Sequence, residues 1–296
     1  MKSMTLQAAA KINLSLDVTG KRPDGYHTLE SIFQSVDIYD TITLTVEDGE
    51  GIALSCDAPA VPCDEHNLAW KAAQALLDAA QLRAKVTIDL HKEIPSGAGM
   101  GGGSSDAAGV LWGLNELLGC GFSNEKLREI GVTLGADVPF LLLGGTAYAE
   151  GVGEVLTPLP AVPALRLIIV KGTESVSTPA AYKAIDALES PAHPDTAAML
   201  RAIRENDPAL LKRSCGNLFE QAIDCTDVTR AKTRLLECGA EYAVMTGSGA
   251  AVFGIFPDDM PEGALAAACE TLGQEFAFAR RSTPTDQPFL VLKETI

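Results

Sequence analysis

A glycine-rich stretch, GAGMGGGSSDAAG, occupies residues 97–109 and is the part of the chain best suited to chemistry. It lies between an alternating apolar segment, KVTIDLHKEIP, and an apolar helical segment, VLWGLNELLG. Glycine lets backbone N–H groups approach a ligand, and a helix N-terminus presents free N–H donors with a partial positive charge. These features favour an anion site, above all for phosphate. The alternative is a flexible loop followed by a Ser or Asp helix cap.

Three familiar phosphate-binding or catalytic motifs do not fit this stretch. GAGMGG satisfies G-x-G-x-x-G, but the loop lies far from the chain start and helices follow it, unlike a dinucleotide-binding βαβ unit. A P-loop needs Gly-Lys-Ser/Thr, which is missing, and Asp106 breaks the G-x-S-x-G pattern of a nucleophile elbow. What remains is a loop from Pro95 to Asp106 that binds phosphates with backbone amides and serine hydroxyls.

Two polar residues elsewhere gain a role in phosphoryl transfer only through the family resemblance described below. Lys11 projects from the polar face of an alternating segment, and Asp137 lies in the Gly/Pro-framed loop GADVPF. A carboxylate can orient or deprotonate a substrate hydroxyl, and a nearby lysine keeps that carboxylate ionised. From the sequence alone, a helix cap is the favoured interpretation of Asp137, and a solvated surface lysine is a common one for Lys11.

An aromatic residue and a histidine leave a tight turn together, at Tyr26 and His27. The family resemblance described below implies that this pair binds a nucleobase, by ring stacking and by hydrogen bonds to the base edge. The alternative is a half-buried aromatic residue beside a surface histidine.

The composition limits the class of partner. The net charge of −16 argues against nucleic acid, whose phosphates need clustered Lys and Arg. Seven cysteines without C-x-x-C and four dispersed histidines argue against a disulfide framework and a zinc site. No uncharged run reaches the length of a membrane helix, and the apolar start is broken by Lys11. We expect a cytoplasmic protein with no nucleic-acid or membrane partner, as a monomer or weak homodimer.

The pattern of elements predicts an α+β fold, because strands and helices mix without regular βαβ repetition. The Pro-rich passage 157–166 is the best linker candidate, which predicts domains at 1–157 and 158–296. Predicted strands and helices in the first half are strands at 6–18, 29–36, 41–46, 51–56 and 85–94 and helices at 67–82 and about 104–118. The second half is predicted to contain a strand at 165–171, four helical stretches, two apolar strands around TGSG, a helix at 261–272 and two final strands.

The loop 95–106 resembles the ATP-binding signature of the GHMP kinases, which include galactokinase, homoserine kinase and mevalonate kinase. GADVPF and the later TGSGAAVFG (246–254) resemble further motifs of that family. The resemblance implies an N-terminal mixed sheet with helices, a ferredoxin-like C-terminal α/β sandwich and an active site in the cleft between them. It also implies the use of ATP and Mg²⁺.

The same resemblance implies an ATP site in which Ser105 and its neighbours serve the β-phosphate and Mg²⁺. Asp106 is expected to complement the helix dipole rather than to ligate metal. Asn67 is expected to help hold the adenine, with an N-cap as an equal alternative. The implied ATP-binding residues are Pro95, Ser96, Gly97, Ala98, Gly99, Met100, Gly101, Gly102, Gly103, Ser104, Ser105 and Asn67.

The segment 10–42, AKINLSLDVTGKRPDGYHTLESIFQSVDIYDTI, resembles the GHMP kinases that act on a cytidine diphosphate derivative. The implied activity is ATP-dependent phosphorylation of the 2-hydroxyl of 4-diphosphocytidyl-2-C-methyl-D-erythritol in the non-mevalonate isoprenoid pathway. Lys11 and Asp137 would be the catalytic pair. The implied substrate-binding residues are Asn13, Tyr26, His27, Tyr182, Gly247 and Ser248, with His27 bonding the cytosine and Tyr26 and Tyr182 stacking on it.

Other functions stay open at this point. A GHMP kinase acting on mevalonate or homoserine is disfavoured by the Tyr26, His27 and Tyr182 set, since a small hydroxy acid needs no base-stacking pair. A nucleotide-binding regulatory module is disfavoured by Lys11 and Asp137. An oxidoreductase that binds a dinucleotide at the glycine loop is the remaining alternative.

Overall fold

The protein contains two sheets and a set of helices, and the computed structural model describes residues 1–295. The strands are β1 (Lys2–Lys21), β2 (His27–Glu47), β3 (Gly51–Cys56), β4 (Lys85–His91), β5 (Thr146–Glu150), β6 (Val155–Pro158), β7 (Arg166–Lys171), β8 (Gly216–Asn217), β9 (Tyr242–Met245), β10 (Val252–Phe256), β11 (Phe278–Ser282) and β12 (Phe289–Thr295). The helices are α1 (Leu68–Ala80), α2 (Gly102–Leu118), α3 (Asn124–Val132), α4 (Val138–Leu143), α5 (Thr178–Ile185), α6 (Thr196–Glu205), α7 (Pro208–Ser214), α8 (Thr226–Glu237) and α9 (Glu262–Glu275), with a short 3-10 helix at Leu218–Gln221.

The first sheet is built on the long antiparallel pair of β1 and β2. Its strands run in the order β12-β1-β2-β4-β3, while β5 pairs with β2 and β8 pairs with β1. The sequence predicted two strands at 29–36 and 41–46, but the structure has one. The chain passes between them through a register shift opposite Ala9 and Ala10, and β2 stays paired on either side of it.

Helices α1, α2 and α4 pack on one face of this sheet, and α3 packs on these helices. Leu6, Ile42 and Leu44 from the strands pack with Leu76 of α1 and Leu111 of α2 in one apolar core. The helix predicted from about Ser104 begins two residues earlier, at Gly102, and ends at a left-handed Gly119. The core therefore holds the N-terminus of α2, with the glycine loop before it, against the middle of β1.

The second sheet is antiparallel, in the order β11-β7-β10-β9. One face packs on α8 and α9 through residues such as Val170, Leu235 and Leu272. The other face, including Ile169 and Phe253, packs against β1 and α6. The expected α+β architecture with two sheets and a cleft between them is confirmed.

Two strands from the second half of the chain join the first sheet. Strand β8 pairs in parallel with β1 at Ser15 and Leu16, and β12 pairs with its free edge at residues 3–8. The predicted second domain, 158–296, thus contributes two strands to the first sheet. They pair with backbone N–H and C=O groups of β1 that β2 leaves free. The boundary near residue 157 stays a prediction. Among residues 1–295, no helix is long and apolar enough to cross a bilayer.

Candidate active site

Two cavities meet at the glycine loop, residues 95–105. The large cavity has a volume of about 730 Å³ and lies between β1, β2, α5 and the turn at residues 246–249. The small cavity, about 330 Å³, lies between the glycine loop and the chain before α1. Gly99 and Gly101 line both cavities, so a molecule in one can reach a molecule in the other at this point.

The glycine loop is held by backbone hydrogen bonds to β1 and to the residues that follow the turn at 246–249. Met100 is buried and its carbonyl accepts from the Lys11 N–H at 3.1 Å, while Ala250 and Ala251 donate to the carbonyls of Gly97 and Ala98, each at 3.2 Å. The first N–H groups of α2 have no acceptor inside the helix. The start of α2 therefore offers free backbone donors beside the small cavity, and the phosphate site at this loop stays a prediction.

The close contact between Gly99 and the TGSG turn requires glycine on each side. A Cβ on Gly99 would lie 2.2 Å from the Thr246 carbonyl oxygen, and one on Gly247 would lie 2.8 Å from the Gly99 Cα. Both residues also have positive φ, of 74° and 57°. The structure thus brings two glycine motifs that are distant in the sequence into backbone contact.

The two serines of the loop point in different directions. Ser104 lines the large cavity. Ser105 is 1 % exposed, and its hydroxyl donates to the Ala9 carbonyl at 2.8 Å. The sequence placed Ser105 at the phosphates, but in the structure its hydroxyl is bonded to β1, because the helical rotation from Ser104 to Ser105 turns it toward the core. Ser104 is therefore the serine that faces the large cavity.

Lys11 and Asp137 meet in the large cavity. The Lys11 Nζ lies 3.8 Å from the Asp137 Oδ2, and the lysine side chain is 4 % exposed while the aspartate is 34 % exposed. Burial lowers the pKa of Lys11, and the charge of Asp137 acts against that shift. Asp137 precedes α4 but its side chain caps no N–H, so the helix-cap alternative is wrong in this structure.

Asn13 joins three parts of the site. Its Oδ1 accepts from the Lys11 Nζ at 2.9 Å and from the Gly247 N–H at 2.9 Å, and its Nδ2 donates to the Ser31 hydroxyl at 2.8 Å. Asn13 lines the large cavity with no exposed area, so its polar atoms are already used within the protein. It holds Lys11 and the TGSG turn in place beside the cavity. Ser248 also lines the cavity and bonds to the Thr178 hydroxyl at 2.8 Å.

Aromatic rings gather at the far end of the large cavity. His27 stacks on Tyr182 with ring centroids 4.7 Å apart, and Phe219 packs edge-on against Tyr182 at 5.0 Å. Tyr26 is 65 % exposed and also lines the cavity. The structure thus brings together Tyr26 from the turn before β2, His27 from β2 and Tyr182 from α5. In this structure His27 and Tyr182 stack directly on each other.

Asn67 lines the small cavity and caps α1. Its side-chain oxygen accepts from the Ala69 N–H at 2.8 Å, and its amide donates to the Pro62 carbonyl at 2.7 Å. The N-cap interpretation is therefore confirmed, and a contact of Asn67 with adenine stays a prediction.

Some residues in and around the site were not predicted from the sequence. Lys92 and Asp40 form buried ion contacts beneath the glycine loop, and Asp186 accepts from His27 Nε2 at 2.7 Å. Lys92 lies three residues before Pro95, so its closeness to the glycine loop could have been noticed in the sequence. Its ion-pair partners could not, because they lie on other elements. Phe33 lies under the Lys11 ammonium, with 5.0 Å from the Nζ to the ring centroid.

The oxygen atoms that suit a hard metal ion lie at the junction of the cavities. Ser104 and Asp137 both line the large cavity there, next to the loop amides. Hydroxyl and carboxylate oxygens, completed by phosphate and water, are the ligands that Mg²⁺ uses with nucleotides. The residues present therefore fit Mg²⁺ bound together with a nucleotide.

Comparison with known proteins gives a consistent picture. The model of the GHMP kinases N terminal domain matches residues 67–145, and that of the GHMP kinases C terminal domain matches residues 199–274. The chain is 46 % identical to a 4-diphosphocytidyl-2-C-methyl-D-erythritol kinase of Geobacter metallireducens, over 88 % of this chain and 91 % of that protein. It is 42 % identical to a protein of the same name from Geobacter sp. strain M21, over 95 % of this chain and 100 % of that protein.

Solved structures agree. A crystal structure of 4-(cytidine 5'-diphospho)-2C-methyl-D-erythritol kinase superposes with a TM-score of 0.79 at 34 % identity, covering 96 % of this chain and all of that one. A homoserine kinase from Cytophaga hutchinsonii gives a TM-score of 0.75 at 20 % identity, covering 98 % of this chain and 97 % of that one, which shows a shared fold.

Proposed function

Since the chain belongs to the GHMP kinase family, and within it to the 4-diphosphocytidyl-2-C-methyl-D-erythritol kinases, we propose that it transfers the γ-phosphoryl group of ATP to the 2-hydroxyl of 4-diphosphocytidyl-2-C-methyl-D-erythritol. This reaction belongs to the non-mevalonate route to isoprenoid precursors. The observation that carries the proposal is the Lys11–Asp137 pair at the junction of the two cavities, beside Gly99 and Gly101.

Asp137 acts on the substrate hydroxyl. Its carboxylate is partly exposed in the large cavity and accepts the hydroxyl proton, or orients the hydroxyl for in-line attack on phosphorus. Lys11 places its ammonium group 3.8 Å from that carboxylate, and Asn13 fixes the direction of the ammonium group. Both side chains are fixed on packed elements, which supports catalysis by positioning.

The glycine loop holds the phosphates of ATP in the small cavity. The N–H groups at the start of α2 bond the phosphate oxygens, and the helix dipole favours their charge. Bound Mg²⁺, held by Ser104 and Asp137 together with phosphate oxygens, would neutralise charge on the transferring group. Because the loop is tied to β1 and to the TGSG turn, its donors need little rearrangement as charge develops.

The aromatic end of the large cavity binds the cytosine. Tyr26 and Tyr182 supply ring faces and His27 supplies a polar edge, which suits one nucleobase. The direct contact of His27 with Tyr182 means that the base enters beside the histidine and displaces part of this stack. The predicted cytoplasmic location and the monomeric or weakly dimeric state stay predictions.

The direct test is incubation with ATP, Mg²⁺ and 4-diphosphocytidyl-2-C-methyl-D-erythritol, followed by mass spectrometry of the product. A product heavier by one phosphoryl group at the 2-hydroxyl is the expected result. Mevalonate and homoserine serve as matched alternative acceptors in parallel reactions. Phosphorylation of either one, with none of the cytidylyl substrate, would contradict the proposal.

A further inference from the structure

The aromatic end of the large cavity contains a carboxylate that the proposed function does not use. Asp186 follows α5 and lines the cavity together with His27 and Tyr182. Its Oδ1 is bonded to the His27 Nε2 at 2.7 Å, and its Oδ2 accepts from the ammonium group of Lys21. The carboxylate thus joins the end of α5 to the end of β1 and to the start of β2.

Asp186 is held in its ionised form by these two partners. The hydrogen bonds from His27 and from Lys21 lower the pKa of the Asp186 carboxyl below its ordinary value. An ionised carboxylate has acceptor atoms and no donor. The hydrogen atom between Asp186 and His27 therefore belongs to the Nε2 of the imidazole ring.

This bond decides what the other ring nitrogen of His27 can do. An uncharged imidazole carries one N–H, so a hydrogen on Nε2 leaves a lone pair on Nδ1. The Nδ1 has no hydrogen-bond partner among residues 1–295 and is not enclosed in the interior. The ring is also packed on Tyr182, with centroids 4.7 Å apart, and its side chain is 9 % exposed. A ring flip would break both contacts, so His27 presents a hydrogen-bond acceptor to the cavity.

The two common pyrimidine bases differ in how they meet such an acceptor. Cytosine carries an exocyclic amino group, which is a donor, at the position where uracil carries a carbonyl oxygen, which is an acceptor. A lone pair on Nδ1 bonds to the amino group and repels the carbonyl oxygen. The N–H of uracil lies between two carbonyl oxygens, so an approach to it brings those oxygens toward the imidazole edge.

We propose that Asp186 is a positioning residue that keeps His27 as a hydrogen-bond acceptor, and that the site thereby selects cytosine over uracil. Lys21 supports this role because it bonds the second oxygen of the carboxylate. The inference rests on the proposed function in that the aromatic end of the large cavity receives the base. Asp186 does not touch the reacting atoms and takes no part in the phosphoryl transfer.

The test compares the dissociation constants of cytidine diphosphate and uridine diphosphate by calorimetry. It is done at about pH 8, where free imidazole is uncharged, with a non-hydrolysable ATP analogue saturating the small cavity. The wild type is expected to bind the cytidine nucleotide about ten- to a hundredfold more tightly, the range for one hydrogen bond replaced by an unsatisfied pair. In Asp186→Ala the ring is free to take either tautomer, so the preference is expected to fall to about threefold or less.

A matched control variant separates this role from a general loss of a carboxylate. Glu189→Ala removes an exposed acidic residue three positions further along the chain, and it is expected to keep the wild-type preference. A merely structural role for Asp186 would weaken both nucleotides equally and leave their ratio unchanged. An unchanged ratio in Asp186→Ala, or a wild type that binds both nucleotides equally, overturns the inference.

A second measurement needs no ligand and uses nitrogen-15 NMR of the imidazole rings. The shifts of the two ring nitrogens show which one carries the hydrogen, and the signals of His27 are those that His27→Ala lacks. In the wild type we expect a hydrogen on Nε2 and none on Nδ1, and in Asp186→Ala signals averaged over both tautomers. A hydrogen on the Nδ1 of the wild type overturns the inference.

The proposed function is judged separately, by product formation from 4-diphosphocytidyl-2-C-methyl-D-erythritol. If product forms while Asp186→Ala keeps the wild-type nucleotide ratio, only the inference about Asp186 fails. If the ratio depends on Asp186 but no product forms, only the proposed function fails.

Discussion

At the scale of single residues, the site depends on one buried lysine and one accessible carboxylate. Lys11 has almost no exposure, whereas a third of the Asp137 side chain is open to the large cavity. A buried ammonium ion is costly unless it is paired and hydrogen-bonded, and here Asn13 and Asp137 supply those partners. The exposed member of the pair is the one free to meet a substrate.

The first prediction concerns Asp137→Asn. An amide keeps the shape but can neither accept the hydroxyl proton nor balance the charge of Lys11, so kcat is expected to fall about 10²- to 10⁴-fold. The affinity for ATP measured without Mg²⁺ should change little, because the loop amides bind the phosphates. Steady-state kinetics combined with nucleotide binding separates the two effects. Near-normal turnover in a folded variant would remove Asp137 from its proposed role.

The second prediction concerns His27→Ala. Loss of the ring removes the polar edge and the stack on Tyr182, so the KM for the cytidylyl acceptor is expected to rise about tenfold or more. His91→Ala is a matched control, since His91 is an exposed histidine at the end of β4 and is expected to leave the acceptor KM unchanged. An equal loss of ATP affinity in His27→Ala would argue against a base site at this position.

At the scale of elements, the contact between the glycine loop and the TGSG turn fixes the geometry of the junction. Each segment alone reads as an ordinary glycine turn. In the fold the two segments approach so closely that there is no space for a side chain at position 99 or at position 247. This contact couples the loop that faces the small cavity to the turn that lines the large one.

The third prediction concerns Gly99→Ala. The new methyl group would clash with the Thr246 carbonyl and force the loop to shift, so the KM for ATP is expected to rise at least about tenfold. Gly121→Ala is the control, because Gly121 has a similar φ of 70° with nothing within 4 Å of the added Cβ. The control carries only the backbone strain of about 1–2 kcal/mol. Steady-state kinetics with varied ATP measures the KM of both variants, and equal KM values in the two would rule out steric coupling.

At the scale of the whole molecule, the end of the chain completes the sheet that begins it. Strand β12 pairs with the edge of β1, and Phe289 on β12 stacks on Trp112 of α2 with centroids 5.2 Å apart. The second sheet meanwhile packs on β1 through Ile169 and Phe253. The walls of the cleft are therefore joined through β1, which also carries Lys11 and Asn13.

The fourth prediction concerns Phe289→Ala. Because Phe289 is half-buried, its loss is expected to lower the free energy of unfolding by about 1–2 kcal/mol, less than for a fully buried phenylalanine. Urea unfolding followed by tryptophan fluorescence measures the change, since Trp112 reports on the same contact. Val291→Ala, at a position 46 % exposed on the same strand, is expected to change stability by less than about 0.5 kcal/mol. Similar losses of unfolding free energy in both variants would show that the Phe289–Trp112 stack adds no stability of its own.

The sequence by itself determined those features that depend on neighbours along the chain. The alternation of β1, the glycine loop, the helix that follows it and the closing Gly119 were all readable, because side-chain period and backbone freedom are local properties. The motifs around Lys11, Asp137 and TGSG also indicated the family and its chemistry. Asn67 shows the limit of prediction from sequence. An asparagine that caps a helix and one that binds a ligand give the same sequence pattern, and only the hydrogen-bond partners of the side chain distinguish them.

Only the tertiary structure decided which polar groups face a ligand and which are used within the protein. The direction of Ser105 toward Ala9, the continuity of β2 and the return of β12 to β1 depend on residues far apart in the chain. The same holds for Asp106, which the sequence presented as a dipole partner and which the fold placed against Lys92 and Asp40. Burial and pairing set the charge of such groups, and both arise from non-local contacts that no sequence spacing encodes.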